Sequence, residues 1–296
     1  MKLGRLTSFL MLAGTAASAS ATSLFYDGFI ASPHASLESY GYAITAEPVF
    51  TGSNPGTKVA EINPGGLSIP GQVSAGNAAH LYYEMVSGAV VDYTATKDIT
   101  DFGSAGGINT FYVSGLFKTD EFPETTGAWI KLGVPVDFTS GADRYFSIGL
   151  KHTQYQGVLQ DQIFAEGLGT QYGNWKLADY TEGDTVQVIA KFTYFKMTGS
   201  DQYGFEVFAA ANPSSTVEPT WKLIASESNL ISGFTIPNLE LTLTRSGSFA
   251  AAGGVIDEIR IGTNYADVVG VVPEPEAWFL MLAGLGLLGW KARQRG

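Results

Sequence analysis

The stretch that most narrows the fold is 185–197. In it Val186, Val188, Ala190, Phe192 and Tyr194 alternate with Thr185, Gln187, Ile189, Lys191 and Thr193. That period of two gives a strand one apolar and one mostly polar face. Leu239-Glu240-Leu241-Thr242-Leu243-Thr244 repeats the pattern as strictly. Between the chain ends no window carries convincing apolar spacings of three, four and seven, so no long amphipathic helix is expected there. The 36 glycines, with charged residues held to 15%, supply the tight turns that many short strands need. With no cysteine in the chain, stability must come from a buried core, and about 250 residues are enough for one large sandwich.

Strand candidates follow one another along the body. Residues 40–50 run into a turn-rich 51–56, and 80–86 with 89–95 flank Ser87-Gly88 and read as a hairpin. Next come 110–117, 128–134, 145–150, 162–165 and 175–180. After 185–197, Gly199 and Asp201 turn the chain into 203–209, and 221–225, 239–244 and 253–262 complete the set. No repeat or linker divides them, so 22–270 is expected to be one domain.

The two ends read as an address. Lys2 and Arg5 precede a mostly apolar stretch at 6–17, and Ala19-Ser20-Ala21 offers an Ala-x-Ala cleavage site. This predicts a helical secretory signal at 1–21 and passage through the Sec translocon. At the other end Pro273-Glu274-Pro275 precedes 14 uncharged residues from Ala277 to Trp290, followed by Lys291, Arg293 and Arg295. As a helix that run covers about 21 Å of a hydrocarbon core of about 30 Å. It predicts a short transmembrane helix with Trp278 and Trp290 at the interfaces and the three cations on the cytoplasmic side. The two prolines stop the helix from extending toward the body. An extended peptide, open to processing, is left just outside the bilayer.

This order of motif, apolar run and basic cluster at 271–296 resembles the PEP-CTERM sorting signal of Gram-negative bacteria. The resemblance implies recognition by an exosortase, a membrane-embedded cysteine transpeptidase, with cleavage near Pro273, Glu274 and Pro275. It also implies transient residence in the inner membrane, then delivery to the envelope, outer surface or extracellular matrix, in company with exopolysaccharide and biofilm. A second resemblance lies in Ile256-Asp257-Glu258-Ile259-Arg260-Ile261-Gly262 with the hairpin at 186–208 and Asn212-Pro213. These look like the end of a concanavalin A-like (laminin G-like) jelly roll. That family's fold implies an antiparallel β-sandwich of two sheets of six or seven strands, with first and last strands adjacent. Residues 25–29 would then pair beside 255–261 and bring Asp27 near Arg260.

Charge and motifs narrow the function. Residues 22–272 hold 12 Lys and Arg against 26 Asp and Glu, a net −14, which disfavours nucleic acid as a partner. Laminarinase-type hydrolases on this fold carry Glu-x-Asp-x-Glu on one strand. Here no three acids fall at i, i+2 and i+4, and Glu182-Gly183-Asp184 stops at two. His34, His80 and His152 form no zinc motif, and no Gly-x-Ser-x-Gly elbow or phosphate loop occurs. No catalytic residue is therefore assigned.

Calcium could draw oxygen ligands from Asp179, Glu182 and Asp184, or from Asp98 and Asp101, against the plain alternative of solvated turn residues. Asp257 and Glu258 are neighbours in a strand and point to opposite faces unless a bulge intervenes, and Asp257 reads as a structural partner. Tyr82, Tyr83, Tyr112, Trp129, Trp175 and Trp221 could form a sugar-stacking platform, with the core as the expected place for most of them. The expectation is a non-enzymatic exported jelly roll, glycan-binding or structural, with extracellular polysaccharide as partner. An extracellular polysaccharide-acting enzyme and a purely adhesive surface protein are the alternatives.

Overall fold

The computed structural model of the chain describes residues 23–30, 32–46, 58–70, 76–84, 91–103, 110–122, 127–138, 143–155, 158–168, 173–213, 217–230, 233–245 and 251–269. Ala19 and Ala21 of the expected signal, and the sorting segment with Pro273, Glu274, Pro275, Ala277, Trp278, Trp290, Lys291, Arg293 and Arg295, lie outside these residues. Among the described residues no helix is long and apolar enough to cross a membrane.

The described strands are β1 (Ser23–Asp27), β2 (Ala43–Ala46), β3 (Lys58–Asn63), β4 (Ala78–Glu84), β5 (Val91–Gly103), β6 (Thr110–Glu121), β7 (Ala128–Phe138) and β8 (Asp143–Tyr155). They continue with β9 (Val158–Leu168), β10 (Gly173–Asp179), β11 (Val186–Lys196), β12 (Tyr203–Ala211), β13 (Lys222–Leu230), β14 (Phe234–Arg245) and β15 (Ala251–Gly262). One short helix, α1 (Tyr265–Val269), follows β15. The strands form two antiparallel sheets packed face to face, an all-β sandwich. The eight-stranded sheet runs β13-β12-β11-β6-β15-β4-β3 with β1 added beside β15, and the seven-stranded sheet runs β10-β9-β8-β7-β14-β5-β2.

Alternation put the strands in place, and pairing corrected one of them. The expected hairpin across Ser87-Gly88 does not form. β4 pairs with β3 and β15 in one sheet, while β5 pairs with β2 and β14 in the other. The two strands therefore belong to different layers, where each finds its apolar partner. Among the described residues of 40–50, Ala43–Ala46 is strand, and Glu38–Tyr40 is a single 3-10 turn.

The apolar face of β11 turns inward as its alternation requires. Phe192 packs against Phe111, Phe234 and Phe205 at ring-centroid separations of 4.8, 5.0 and 5.5 Å, joining both sheets in one core. β15 lies between β6 on one side and β4 and β1, end to end, on the other, so first and last strands are adjacent. All its residues after Ala251 are buried. Gly254 allows this, since a Cβ there would stand 2.6 Å from Ile130 Cδ1 of the facing sheet.

The register of β1 corrects the expected Asp27–Arg260 pairing. Tyr26 lies opposite Arg260, and Asp27 opposite Ile259. Asp27 faces the sandwich interior, where its carboxylate accepts hydrogen bonds from Phe29 N (3.0 Å), Tyr40 Oη (3.0 Å), Tyr42 Oη (3.0 Å) and Lys97 Nζ of β5 (2.7 Å). Burial first, then the Asp27 charge, pushes the Tyr40 hydroxyl up to about 12. Arg260 instead donates to Glu258 (2.6 Å), which also accepts from Tyr26 Oη (3.0 Å).

Candidate functional site

The outer face of the seven-stranded sheet is built from the polar positions of alternating strands. Register aligns them in rows across it. One row reads Asp92, Thr244, Trp129, Lys151 and Gln162, and the next Thr94, Thr242, Lys131, Gly149 and Phe164. A third reads Thr96, Glu240, Gly133, Ser147 and Glu166. Several of these outward residues are nonetheless covered. Ser147 is 0% exposed, Thr244 and Phe164 2%, and Thr242 and Gln162 5%. Neighbouring side chains fold over them into a crowded strip of the outer face, here termed the trough.

Gly133 forms part of the floor. A Cβ there would stand 2.0 Å from the Tyr145 hydroxyl oxygen, so only glycine lets the Tyr145 ring lie across it. From that position Tyr145 donates to Glu240. Lys131 Nζ sits 5.2 Å from the Tyr145 ring centroid and 3.6 Å from Glu166 Oε2, and Ser147 Oγ donates to the same oxygen at 3.4 Å. Lys151 Nζ lies 5.5 Å over the Phe164 ring. Thr244 donates to Asp92 at 2.6 Å and Gln162 to Gln160 at 3.1 Å.

Burial sets the electrostatics of this face. It pushes the Glu240 carboxyl above its usual range, outweighing the pull of Lys131 and of the Tyr145 hydrogen bond in the other direction. Burial also pushes the Tyr145 hydroxyl well up, with Glu240 and Glu166 adding to it, and pulls the Lys151 ammonium down against the opposing Glu166 charge. The trough thus offers carboxylates, ammonium groups, amides and aromatic edges on one strip of the sheet. That chemistry is suited to holding the hydroxyls and ring faces of a sugar chain.

The residues singled out from sequence are dispersed. Asp179 pairs with Lys176 and shares with Asp184, Ser68 and Asn212 the lining of one open recess, whereas Glu182 turns away to accept Phe122 N at 3.1 Å. These three carboxylates do not converge, and among the described residues no three His, Asp or Glu side chains are grouped to hold a metal. Asp98 is exposed, and the Asp101 side chain lies outside the described residues. His34, His80 and His152 each have a separate acid, Glu61 at 3.5 Å, Asp120 at 3.0 Å and Asp161 at 2.7 Å.

Asp257 and Glu258 do sit at a bulge, with Glu258 at φ 50°, so both reach the same side. Asp257 accepts Leu67 N and Glu258 N, each at 2.7 Å, as a structural partner would. Of the six aromatics, only Tyr83 belongs to the main core, contrary to expectation. Tyr82, Tyr112 and Trp221 lie on the far side of the eight-stranded sheet, and Trp175 closes a sandwich edge through Nε1 to Ile224 O at 2.9 Å. Trp129 alone borders the trough, and Glu240, Tyr145, Lys131 and Glu166 are the residues sequence reasoning missed. Their signal was present as the polar phase of β7, β8, β9 and β14. What was missing was the register that aligns those phases.

Comparison with known proteins bears on the two ends of the problem separately. Residues 271–295 match the PEP-CTERM protein-sorting motif. No curated protein matches the chain. Among solved structures it is similar to a β-1,3-glucanase of Mycobacterium marinum, at 12% identity over 82% of this chain and 99% of that one, TM-score 0.43. A carbohydrate esterase of the Shiga toxin-encoding bacteriophage phi24B is similar at 13% identity over 82% and 99%, TM-score 0.44. An immunostimulatory antigen and pseudo β-1,3-glucanase of Mycobacterium tuberculosis is similar at 10% identity over 82% and 99%, TM-score 0.41. No residue role is carried over from them. The chain is an antiparallel β-sandwich bearing a PEP-CTERM sorting motif.

Proposed function

We propose that this is an exported, exosortase-sorted surface protein whose sandwich binds polysaccharide without cleaving it, through the trough on the seven-stranded sheet. The sorting motif at 271–295 supports the destination. The carrying observation for binding is the crowded outer strip on which Tyr145, Glu240, Lys131 and Glu166 are held together by their own contacts around Gly133. Such a set is pre-ordered, so a sugar chain pays little to organise it. A glycan array probed with the exported chain, alongside Glu240→Gln and Tyr145→Phe, tests the reading. Binding that both substitutions weaken supports it, and uniform absence of binding removes it.

One observation favours the enzymatic alternative. Glu240 and Glu166 share a row on the same face, with backbones about 14 Å apart by three strand spacings, and burial holds Glu240 toward its protonated form. Two carboxyl groups on one face, one of them raised by burial, are the pattern that glycoside hydrolysis uses. Release of reducing sugar from matrix polysaccharide, lost in both Glu240→Gln and Glu166→Gln, would decide for it.

A further inference from the structure

On the outer face of the eight-stranded sheet Leu223, Phe208, Lys191 and Tyr112 of β13, β12, β11 and β6 form one row. Leu223 is 44% exposed, and Phe195, further along β11, is 38% exposed. Beside this row Tyr112, Trp221 and Tyr265 form a three-ring cluster with centroids 6.1 to 6.2 Å apart, and Tyr265 Oη donates to the carbonyl of Val217, itself 66% exposed. Around the ring cluster the charges compensate one another, while Glu206 of β12, opposite Thr193, lies between this row and Phe195. Glu218 accepts from Tyr112 Oη (2.9 Å) and Trp221 Nε1 (3.2 Å) and lies 3.9 Å from Lys191 Nζ. A body carrying a net −14 over 22–272 therefore keeps a nearly neutral, aromatic and aliphatic area on one face. Tyr112 itself is buried, so what faces outward there is Leu223 and Val217 with the partly exposed Trp221 and Tyr265, and apolar groups set together in this way mark an interaction surface.

The point at which the described chain ends says what meets it. α1 is pinned to this same face, because the carbonyl of Val268 accepts Ser114 Oγ at 2.8 Å and Gln187 Nε2 at 3.3 Å, and Val268 and Val269 pack on Tyr112 and Ile189. From Val269 only eight residues lead to Ala277, where the uncharged run begins, a reach of at most about 28 Å when fully extended. Tryptophan and tyrosine favour the headgroup layer of a bilayer, where an apolar ring and a polar edge are both satisfied. We infer that the Leu223, Val217, Trp221 and Tyr265 face of the sandwich rests on the lipid surface while the tail is membrane-held, which leaves the trough on the opposite sheet pointing away from the bilayer. This rests on the proposed reading that the run from Ala277 to Trp290 enters the membrane.

The test uses the full chain, exported in an exosortase-free Gram-negative host and harvested as inner-membrane vesicles. A benzophenone amino acid is placed singly at Val217, Leu223, Thr94 or Lys151, and photo-cross-linking to radiolabelled phospholipid is read. Severalfold more lipid label at 217 and 223 than at 94 and 151, unchanged by high salt and lost from 217 when Leu223→Asp and Trp221→Ser are combined, is the expected result. Carbonate-resistant chain with equal label at all four positions overturns the docking alone. Carbonate-extractable chain overturns the membrane reading beneath it and the docking with it.

Discussion

Replacing Lys97 by Met should destabilise the sandwich far more than loss of a surface cation. The Asp27 side chain is 1% exposed and Lys97 22%, with Nζ 2.7 Å from Oδ2. Removing the ammonium leaves a carboxylate that water cannot reach. Breaking a buried pair from one side costs about 3–5 kcal/mol. Two features place Lys97→Met near the lower bound, about 3 kcal/mol. Asp27 keeps three donors, Phe29 N and the Tyr40 and Tyr42 hydroxyls, and the Met side chain refills the space over the Tyr40 and Tyr42 rings, whose centroids lie 4.5 and 4.9 Å from the ammonium. Tyr42→Phe, which deletes one hydrogen bond to a charged acceptor, should cost about 1.5 kcal/mol. Urea unfolding followed by tryptophan fluorescence on the exported chain gives the midpoints, with an unchanged slope expected for all variants. Adding Asp27→Asn to Lys97→Met should cost about 2 kcal/mol less than adding it to the parent, since the stranded charge is then already the problem. A loss under about 0.5 kcal/mol for Lys97→Met, the size of an exposed pair, would refute the assignment of this group as a buried tie between the sheets.

Three further outcomes follow from the geometry. Gly133→Ala puts a Cβ into the Tyr145 hydroxyl; the ring swings off Glu240 and glycan binding is lost, for about 1–2 kcal/mol of stability read in the same urea assay. Gly254→Ala presses on Ile130 across the core at 2.6 Å and should cost about 1–3 kcal/mol without touching binding. Glu240 is raised by burial, so its folded carboxyl binds a proton more tightly than the unfolded one; its contribution to stability is full below the unfolded value and declines as pH rises through the folded one. A pH series of unfolding midpoints should show that decline in the parent and not in Glu240→Gln.

Strand identity was legible because burial on one face imposes a period of two, which the sequence keeps at Val186, Val188, Ala190, Phe192 and Tyr194 of β11 and at Leu239, Leu241 and Leu243 of β14. Partner choice was not. Ser87-Gly88 is a good local turn signal, yet β4 and β5 belong to different sheets, and no local preference of two residues outweighs the apolar faces of two long strands. The trough stayed hidden for the same reason. Glu240 and Glu166 are 74 positions apart in the chain and meet on one face only through the Glu240–Gly133, Gly133–Ser147 and Ser147–Glu166 pairings. The bulge that turns Glu258 to the side of Asp257 leaves no compositional trace either, since it occupies a non-glycine residue at positive φ.

The Asp27 tie could have been read from phase alone. In β1, Phe25 and Asp27 share a face, and in β5 Tyr93, Ala95, Lys97 and Ile99 share one. Each strand therefore carries a single charge at a position where its neighbours are apolar and packed in the core. A charge in the apolar phase cannot stay solvated if the strand is paired on its inward face, and alone it would cost several kcal/mol. Two such charges of opposite sign on strands of different sheets have one inexpensive solution, which is each other, and the 2.7 Å contact between Lys97 and Asp27 is that solution. The same reasoning separates this pair from the trough. Lys131, Glu166 and Glu240 sit in the polar phase of their strands, so their partial burial is not forced by the core, and only the crowding of the outer face around Gly133 and Tyr145 accounts for it. Charges that packing does not require to be buried, yet which are partly buried together on an outward face, are what a binding surface needs and a core does not.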